Sequence, residues 1–201
     1  MAYVESRWIQ TFRDCLETLD WSHLVRAAVA FDFRHVAGGL EITPPLVAVL
    51  QEAREHPSFL AHLARTATDV DVPLPNWFQV SRWERQEIDI KKTGIVPIAN
   101  LARFHALSNG ITISPTLDRL IAAEELGALN KETAQSLREA FTFIWQVRLD
   151  HHARQIREGR SPDNLIRPNQ LPPLARKELR EAFRAIAAAQ QQLYRFVPLG
   201  M

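Results

Sequence analysis

Residues 89–149 read DIKKTGIVPIANLARFHALSNGITISPTLDRLIAAEELGALNKETAQSLREAFTFIWQVRL. The stretch consists of a polar segment followed by three segments of helical periodicity, which are separated by turns. Ser114 offers a capping hydroxyl before Pro115, a favoured residue for the first helical position. Gly127 is suited to end the middle helix, and Asn130 is suited to cap the next one. The pattern therefore predicts consecutive helices joined by short loops.

The flanking sequence extends this pattern in both directions. In the C-terminal half, helices are predicted over residues 95–108, 115–126, 131–158 and 174–196. In the N-terminal half, apolar residues spaced three and four apart predict helices near residues 4–19, 21–30, 43–56 and 58–67. Residues 78–90 alternate loosely and predict a small hairpin or an extended arm. The predicted fold is all-α: a C-terminal bundle of four to five helices, a smaller helical N-terminal part and room for one short hairpin.

The sequence DVDVPLPN at residues 69–76 marks the best internal boundary, because it contains two prolines and has no periodicity. We therefore divide the chain into a helical N-terminal segment (1–68), a linker or arm (69–90) and a helical bundle (91–201).

Composition excludes several classes of protein. The 201 residues carry a formal net charge of +1, which gives no general attraction to nucleic acid or to an anionic membrane. Cys15 is the single cysteine, so no intramolecular disulfide can form. No apolar run approaches the roughly 20 residues that span a bilayer, and no signal peptide precedes Trp8. We expect a cytoplasmic protein without a membrane or nucleic-acid partner.

Several motifs of the chain occur in the order of a known family. DIKKTG (89–94), PIANLAR (97–103), SPTLDRL (114–120), EAFTFIWQVRLDHH (139–152) and SPDNLIRPNQL (161–171) resemble the nucleotidyltransferase substrate-binding domain. That domain lies at the C-terminus of bacterial signalling proteins with cystathionine-β-synthase-type or cyclic-nucleotide-binding modules. The resemblance covers roughly residues 88–197. WIQTFR (8–13) and FDFRHVAGG (31–39) resemble the segment that leaves the catalytic core in the same proteins and in two relatives, protein-PII uridylyltransferase and glutamine-synthetase adenylyltransferase.

The resemblance implies a substrate-binding accessory domain of a bacterial signalling nucleotidyltransferase, similar to uridylyltransferases. Its partners would be the catalytic core and the regulatory ligand-binding domains of the same protein, together with a protein acceptor or a second copy of the chain. The full-length enzyme would use magnesium and a nucleoside triphosphate, whereas this chain would hold no cofactor and would be inactive alone. The alternative is a non-catalytic helical module for interaction or dimerisation in signal transduction. An exposed apolar seam at Trp8, Phe31 and Phe33 would favour that alternative.

The catalytic carboxylates of this superfamily are not recognisable in the chain. The resemblance implies a Gly-Ser turn followed by two carboxylates one residue apart, which would hold metal ions on one side of a strand. Asp69 and Asp71 have that spacing, but they lack the Gly-Ser turn and run into Pro73. A solvated linker is the better interpretation of this pair. In the order of the family's motifs the catalytic carboxylates would precede Trp8, so we expect the catalytic core to be absent from this chain.

Family positions supply most candidate substrate contacts: Asp89, Lys91, Arg103, Thr116 and Arg119. Thr116 and Arg119 fall in the first turns of a helix, where free backbone N–H groups can help to hold a phosphate. Two alternatives remain open. Lys91 can belong to a solvated basic turn, and Arg119 can form a surface ion pair with Glu124 or a neighbour.

Arg148 is the candidate that helical geometry itself identifies. It falls in the middle of the apolar stripe of Leu137, Phe141 and Ile144, where a guanidinium needs a polar partner. It can tie helices together as a structural contact, or it can form part of an anion-binding pocket that faces the catalytic domain.

His152, which flanks Arg148 together with His151, completes the candidate substrate contacts. A metal site on the two histidines is disfavoured, because adjacent helical positions diverge. Asn164 is expected to order a loop, and Asp32 and Arg34 are expected to pair with neighbours near the missing core.

Overall fold

The computed structural model describes residues 2–17, 31–34, 36–37, 39, 42–75 and 77–194. Helices dominate these ranges, so the predicted all-α fold class is confirmed. The described helices are α1 (Ala2–Glu17), α2 (Thr43–Glu52), α3 (Pro57–Thr68), α4 (Val80–Arg85), α5 (Val96–Leu107), α6 (Thr116–Glu125), α7 (Lys131–Arg157) and α8 (Pro173–Leu193). Two short strands, β1 (Ile88–Asp89) and β2 (Leu165–Ile166), form a small sheet. The helix predicted over 21–30 lies outside the described residues.

Helix α5 lies at the centre of the fold. Most of its side chains are buried, and Ile98 and Leu101 have no exposed surface. It packs against α3, α6 and α8, while α7 and α8 pack extensively against each other. Burial of apolar surface on α5 is the main source of its stability, since burying one large aliphatic side chain contributes about 1.5–3 kcal/mol.

The helix ends show which capping predictions hold. The Asn130 side chain accepts a hydrogen bond from the Thr133 amide at 2.8 Å, and Gly127 ends the preceding helix with a φ of 70°. Both predictions are confirmed. The predicted cap by Ser114 is wrong, because its hydroxyl donates instead to the carbonyl of Phe33 at 3.0 Å and no side chain caps α6.

The predicted hairpin within residues 78–90 is also wrong. These residues form α4 and then β1, which pairs antiparallel with the distant β2 through Ile88 opposite Ile166. The helix forms because it buries Trp83, whose indole N–H donates to the carbonyl of Pro73 at 2.7 Å. The loose alternation in the sequence therefore reflects a short helix packed on the proline-containing loop.

The aromatic residues of the N-terminal part do not form the exposed seam that would favour the interaction or dimerisation alternative. Phe31 has no exposed surface, and its ring lies 4.9 Å from Phe12 and 5.7 Å from Phe59, measured between ring centres. Phe33 is partly buried and makes an edge contact with Phe12. Only Trp8 of the three is substantially exposed, at 48%. These rings are buried by contacts between distant parts of the chain, which residue spacing alone does not reveal.

The proposed division of the chain at residues 69–90 remains a prediction. Helix α3, which that division assigns to the N-terminal segment, packs on α5 and α8 of the bundle. The described ranges contain no helix with the length and hydropathy needed to cross a bilayer.

A π-helical turn, Lys91–Ile95, connects β1 to α5. Its wide hydrogen bond runs from the Val96 amide to the Lys91 carbonyl. Gly94 in this turn lies against α7, and a Cβ placed there would be only 2.8 Å from Cδ1 and 3.1 Å from Cγ2 of Ile144. The turn can approach α7 this closely only because residue 94 has no side chain.

We predict that Gly94→Ala lowers the free energy of unfolding by about 1–2 kcal/mol, because the added methyl group overpacks the contact with the fully buried Ile144. Ile144→Val alone should cost about 0.5–1.5 kcal/mol, since it removes one buried methyl group. Chemical denaturation of both single variants and the double variant measures the coupling between the two sites.

The double variant should be more stable than the sum of the two single effects, because Ile144→Val removes the closest clashing atom. Gly39→Ala is the matched control, since nothing lies within 4 Å of its added Cβ. A strictly additive double variant would contradict the close-approach interpretation.

Candidate functional site

Four of the predicted substrate contacts, Asp89, Arg148, Arg103 and Arg119, lie in two clusters together with residues that were not predicted as contacts. One group surrounds the β1–β2 pair and is called the strand-pair cluster: Asp89, Arg148, His151, Asp163 and Asn164. The other lies between α5, α6 and the segment 31–34 and is called the Asp32 cluster: Asp32, Arg103 and Arg119. The structure thus divides the predicted contacts between two positions instead of one.

Arg148 lies near the middle of the strand-pair cluster. Its Nε donates to the Asn164 side-chain oxygen at 2.8 Å, and its guanidinium carbon lies 4.8 Å from the centre of the Trp145 ring. The residue is half-buried, and no carboxylate in the described ranges forms an ion pair with it. The Arg148 guanidinium is therefore oriented by a neutral amide and an aromatic face, and not by a carboxylate.

Asn164 connects Arg148 to the start of the π-helical turn. Its backbone carbonyl accepts a hydrogen bond from the Ile90 amide at 3.1 Å, while its side chain holds Arg148. Lys91 follows Ile90 directly, and its side chain is exposed. The candidate cations Lys91 and Arg148 are thus attached to the same strand pair. The solvated-turn interpretation of Lys91 also remains compatible with this exposure.

Asp89 has a local structural role in the described contacts. One of its carboxylate oxygens accepts the Lys92 amide at 2.9 Å, and its backbone carbonyl accepts the Thr93 hydroxyl at 2.8 Å. Both bonds hold the polypeptide in the transition from β1 to the π-helical turn. The Asp89 carboxylate therefore positions Lys91 through the backbone.

His151 and Asp163 close the other side of the strand-pair cluster. His151 Nε2 lies 3.1 Å from Asp163 Oδ1, which also accepts the Leu165 amide at 2.9 Å. The amide of Asp163 donates to the side-chain oxygen of the buried Gln155 at 3.0 Å. The Leu165 N–H and then His151 hold the pKa of Asp163 below its ordinary value, because both stabilise the charged carboxylate.

His152, the remaining candidate on α7, is partly buried, and its Nε2 is a buried nitrogen without a hydrogen-bond partner in the described part of the chain. Its ring centre lies 6.3 Å from that of His151. Burying a ring nitrogen without a hydrogen bond is unfavourable, so a hydrogen bond from this atom to a polar group would be favourable.

Arg119 in the Asp32 cluster is almost completely buried, with 1% of its surface exposed. Its Nη2 lies 2.6 Å from Asp32 Oδ1, and its Nε donates to the Ile113 carbonyl at 2.6 Å. Burial lowers the pKa of the Arg119 guanidinium, an effect that the negative charge of Asp32 opposes. The alternative of a surface ion pair with Glu124 is wrong. Glu124 pairs with Arg138 at 2.6 Å instead.

Arg103 binds the second oxygen of the same carboxylate. Its Nη2 lies 2.5 Å from Asp32 Oδ2, and its Nη1 donates to the Asn100 side chain at 2.8 Å. Its Nε is buried and has no hydrogen-bond partner within the described ranges. Thr116, which begins α6 close to Arg119 in sequence, is partly buried.

Sequence reasoning missed the central roles of Asp32 and Asp163. Asp32 was expected to pair only with neighbours near the missing core, but it is the common partner of Arg103 and Arg119. A carboxylate between two phenylalanines is a sequence signal for a charge beside the core that needs a polar partner, but it does not identify that partner. Asp163 carried a turn signal in SPDN, which predicts loop order and gives no information on its histidine partner.

A groove of about 640 Å³ lies elsewhere, between α7 and α8. Its charged lining consists of Glu132, Glu139, Glu178, Glu181 and Arg184, and none of the predicted substrate contacts faces it. Its excess of carboxylates is unfavourable for a nucleotide phosphate. In the part of the chain that the structure describes, no three histidine, cysteine or acidic residues are placed to hold a metal ion together.

We predict that an NMR titration of the Asp163 carboxyl group gives a pKa below the ordinary aspartate value. A carboxylate with a lowered folded-state pKa stabilises the fold at neutral pH, and this stabilisation is lost as the pH falls through that lowered pKa. Asp163→Asn should therefore flatten the acid limb of the stability curve. His151→Gln should leave part of the pKa depression, because the Leu165 amide is its largest single cause. An ordinary pKa in the unmodified chain would contradict this account.

A comparison with protein families identifies the domain. The family model described as "Putative nucleotidyltransferase substrate binding domain" matches residues 57–197. The matched span runs from the start of α3 past the end of α8 and contains both clusters except Asp32. The chain matches no curated protein and no solved structure. Since the matched span exceeds half of the 201 residues, the chain belongs to the nucleotidyltransferase substrate-binding domain family.

Proposed function

We propose that this chain is the accessory part of a nucleotidyltransferase that holds the anionic portion of a substrate against the catalytic core. The observation that carries the proposal is the state of Arg148. It is a half-buried cation whose only hydrogen-bonded side-chain partner in the described ranges is the neutral Asn164. Family membership supplies the substrate-binding role, and Arg148 supplies a group with the chemistry to perform it.

The geometry of Arg148 suits an oxyanion. Its Nε is occupied by Asn164, and the Trp145 ring lies 4.8 Å from the guanidinium carbon, so two contacts fix the plane of the group. Both terminal nitrogens are without partners among the described residues. A planar guanidinium with two available nitrogens binds a phosphate or carboxylate through parallel hydrogen bonds. Preorientation lowers the conformational entropy that binding would otherwise cost.

Lys91 would add a second positive charge to this site. Asn164 bonds to Ile90, and Lys91 is the next residue in the chain, with an exposed side chain that can turn toward a ligand. Asp89 would support the site by fixing the backbone at Lys91. His152 would contribute only if its ring turned to bring the buried, unpartnered Nε2 to the ligand. In this proposal the phosphate groups of a nucleotide or the acidic part of an acceptor lie over the strand pair.

The catalytic chemistry would come from the nucleotidyltransferase core of the same protein. Magnesium binding needs several oxygen ligands, and the described residues offer no such cluster. Asp69 and Asp71 are exposed in a loop that continues into Pro73, which does not fit a two-metal centre. By the family resemblance, the core of the full-length enzyme would supply the magnesium ligands and the transfer chemistry on the nucleoside triphosphate.

The sequence resemblance supports finer proposals on the biological role. They comprise uridylyl-type transfer to a protein acceptor, a place in bacterial signal transduction, control by regulatory ligand-binding domains and a cytoplasmic location. A purely structural dimerisation module is less well supported, because Phe31 and Phe33 are packed into the fold.

We predict that a nucleoside triphosphate with magnesium stabilises the chain through Arg148. At ten times the dissociation constant the gain is about 1.4 kcal/mol, which a thermal-shift screen of the four ribonucleotides detects. Arg148→Gln should abolish the shift. Arg157→Gln on the exposed part of the same helix is the matched control and should respond normally. An equal shift in the Arg148 variant would refute a nucleotide site at this residue.

Arg119→Ala is unsuitable as a binding control. It would leave Asp32 with one partner fewer and remove a buried guanidinium, a change that typically costs about 3–5 kcal/mol. Loss of binding in that variant would not be separable from loss of the fold.

We predict that the purified chain alone does not transfer a nucleotidyl group to a protein acceptor. The expectation follows from the absence of recognisable catalytic carboxylates in the sequence. Incubation with magnesium, labelled uridine triphosphate and a lysate checks it by the incorporation of label into protein. Incorporation above that of a chain-free sample would overturn the assignment of catalysis to a separate core.

A further inference from the structure

We propose that Arg103 and Arg119 form a second binding site, specific for a phosphate-type dianion, and that Asp32 occupies it here as an internal carboxylate. The inference is independent of the nucleotide site proposed at Arg148, because the two clusters share no residue. It assigns a class of ligand to the Asp32 cluster, which would otherwise be interpreted as an internal salt bridge.

The charges of the Asp32 cluster do not balance. Two guanidinium groups share a single carboxylate, so one positive charge remains in a site where Arg103 is 7% and Arg119 is 1% exposed. The Nε of Arg103 is also buried and has no acceptor within the described ranges. A phosphate monoester dianion would supply the missing negative charge and an additional acceptor oxygen.

The two arginines are oriented without help from Asp32. The Ile113 carbonyl holds Arg119 through Nε at 2.6 Å, and the Asn100 side chain holds Arg103 through Nη1 at 2.8 Å. All four residues lie within the span that matches the family model. The domain thus builds the receptor itself, and Asp32 inserts into it from outside the matched span.

The position of Asp32 allows it to be displaced. Its side chain is 34% exposed, so a dissolved anion can reach the carboxylate that bridges the arginines. The segment that carries it is held separately, by the buried ring of Phe31 and by the Ser114 hydroxyl on the Phe33 carbonyl. An incoming phosphate therefore displaces one carboxylate. The segment then loses its ion pairs with both arginines, while the Phe31 ring can remain packed.

Calorimetry with methyl phosphate tests this site. Near pH 7.5 the ester is mostly dianionic, because the second pKa of phosphate monoesters is about 6. Asp32→Asn should bind it at least tenfold more tightly than the unmodified chain, since the internal competitor loses its charge. Asp32→Asn combined with Arg103→Gln, shown to be folded by circular dichroism, should lose that gain. Equal or weaker binding by Asp32→Asn, or a gain that survives Arg103→Gln, would overturn the proposal.

A second measurement on the unmodified chain covers the case in which Asp32→Asn does not fold. Saturating methyl phosphate should speed hydrogen exchange of backbone amides within residues 31–34, because the Asp32 carboxylate is released. Sodium chloride at equal ionic strength should not. Unchanged exchange in that segment would overturn the proposal.

The Arg148→Gln variant separates this inference from the proposed nucleotide site. An exchange response that persists in Arg148→Gln belongs to the Asp32 cluster and supports the inference, whatever the fate of nucleotide binding. A response that disappears in Arg148→Gln and persists in Arg103→Gln would overturn it in favour of the strand-pair cluster.

Discussion

The close approach of Gly94 to Ile144 is the constraint on which the arrangement of the strand-pair cluster depends. The contact brings the π-helical turn against α7, with only 2.8 Å available to any side-chain carbon at residue 94. Because β1 immediately precedes that turn, its position follows from the same contact. Arg148 lies one helical turn beyond Ile144 on α7, where Asn164 can join it to the backbone that leaves β1. A missing side chain thus determines where a charged one lies.

Two arginine environments in one small domain solve the same electrostatic problem differently. The Arg148 guanidinium is partly hydrated and lies over the face of the Trp145 ring. Arg119 keeps its charge in the interior through a short contact with a carboxylate from a distant part of the chain. The first arrangement leaves hydrogen-bond donors directly available to a ligand. The second commits them to Asp32, so a ligand would have to displace that carboxylate before it could bind there.

Periodicity predicted the fold well where the helices are long and their ends carry strong signals. The limits of α7 follow from Asn130 at one end and from its apolar stripe, both of which act within a few residues. The same reasoning failed for residues 78–90, where it predicted a hairpin or an extended arm and the structure has a helix followed by a strand. Trp83 gains its stability by packing against the loop at Pro73, and a tertiary contact of this kind overrides local alternation.

The candidate site could be predicted only in part. Helical geometry identified Arg148 as a residue in need of a partner, and the structure supplies Asn164 and Trp145. The sequence could not identify Asp32 as the partner of Arg103 and Arg119, because a long-range ion pair leaves no periodic trace. Nor could it show that the candidate contacts separate into two clusters, since that separation arises from how α5 and α7 are placed in space.

The pairing of β1 with β2 has a consequence for how the protein acquires its binding surface. Each strand has two residues, and the helices α5, α6 and α7 all lie between them in sequence. So short a pair cannot hold together until the intervening helices have docked, since closing a long loop costs more entropy than a few backbone hydrogen bonds recover. The strand-pair cluster should accordingly form late in folding. Partly folded or newly synthesised chains would then contain most of their helices and still be unable to engage an anionic ligand.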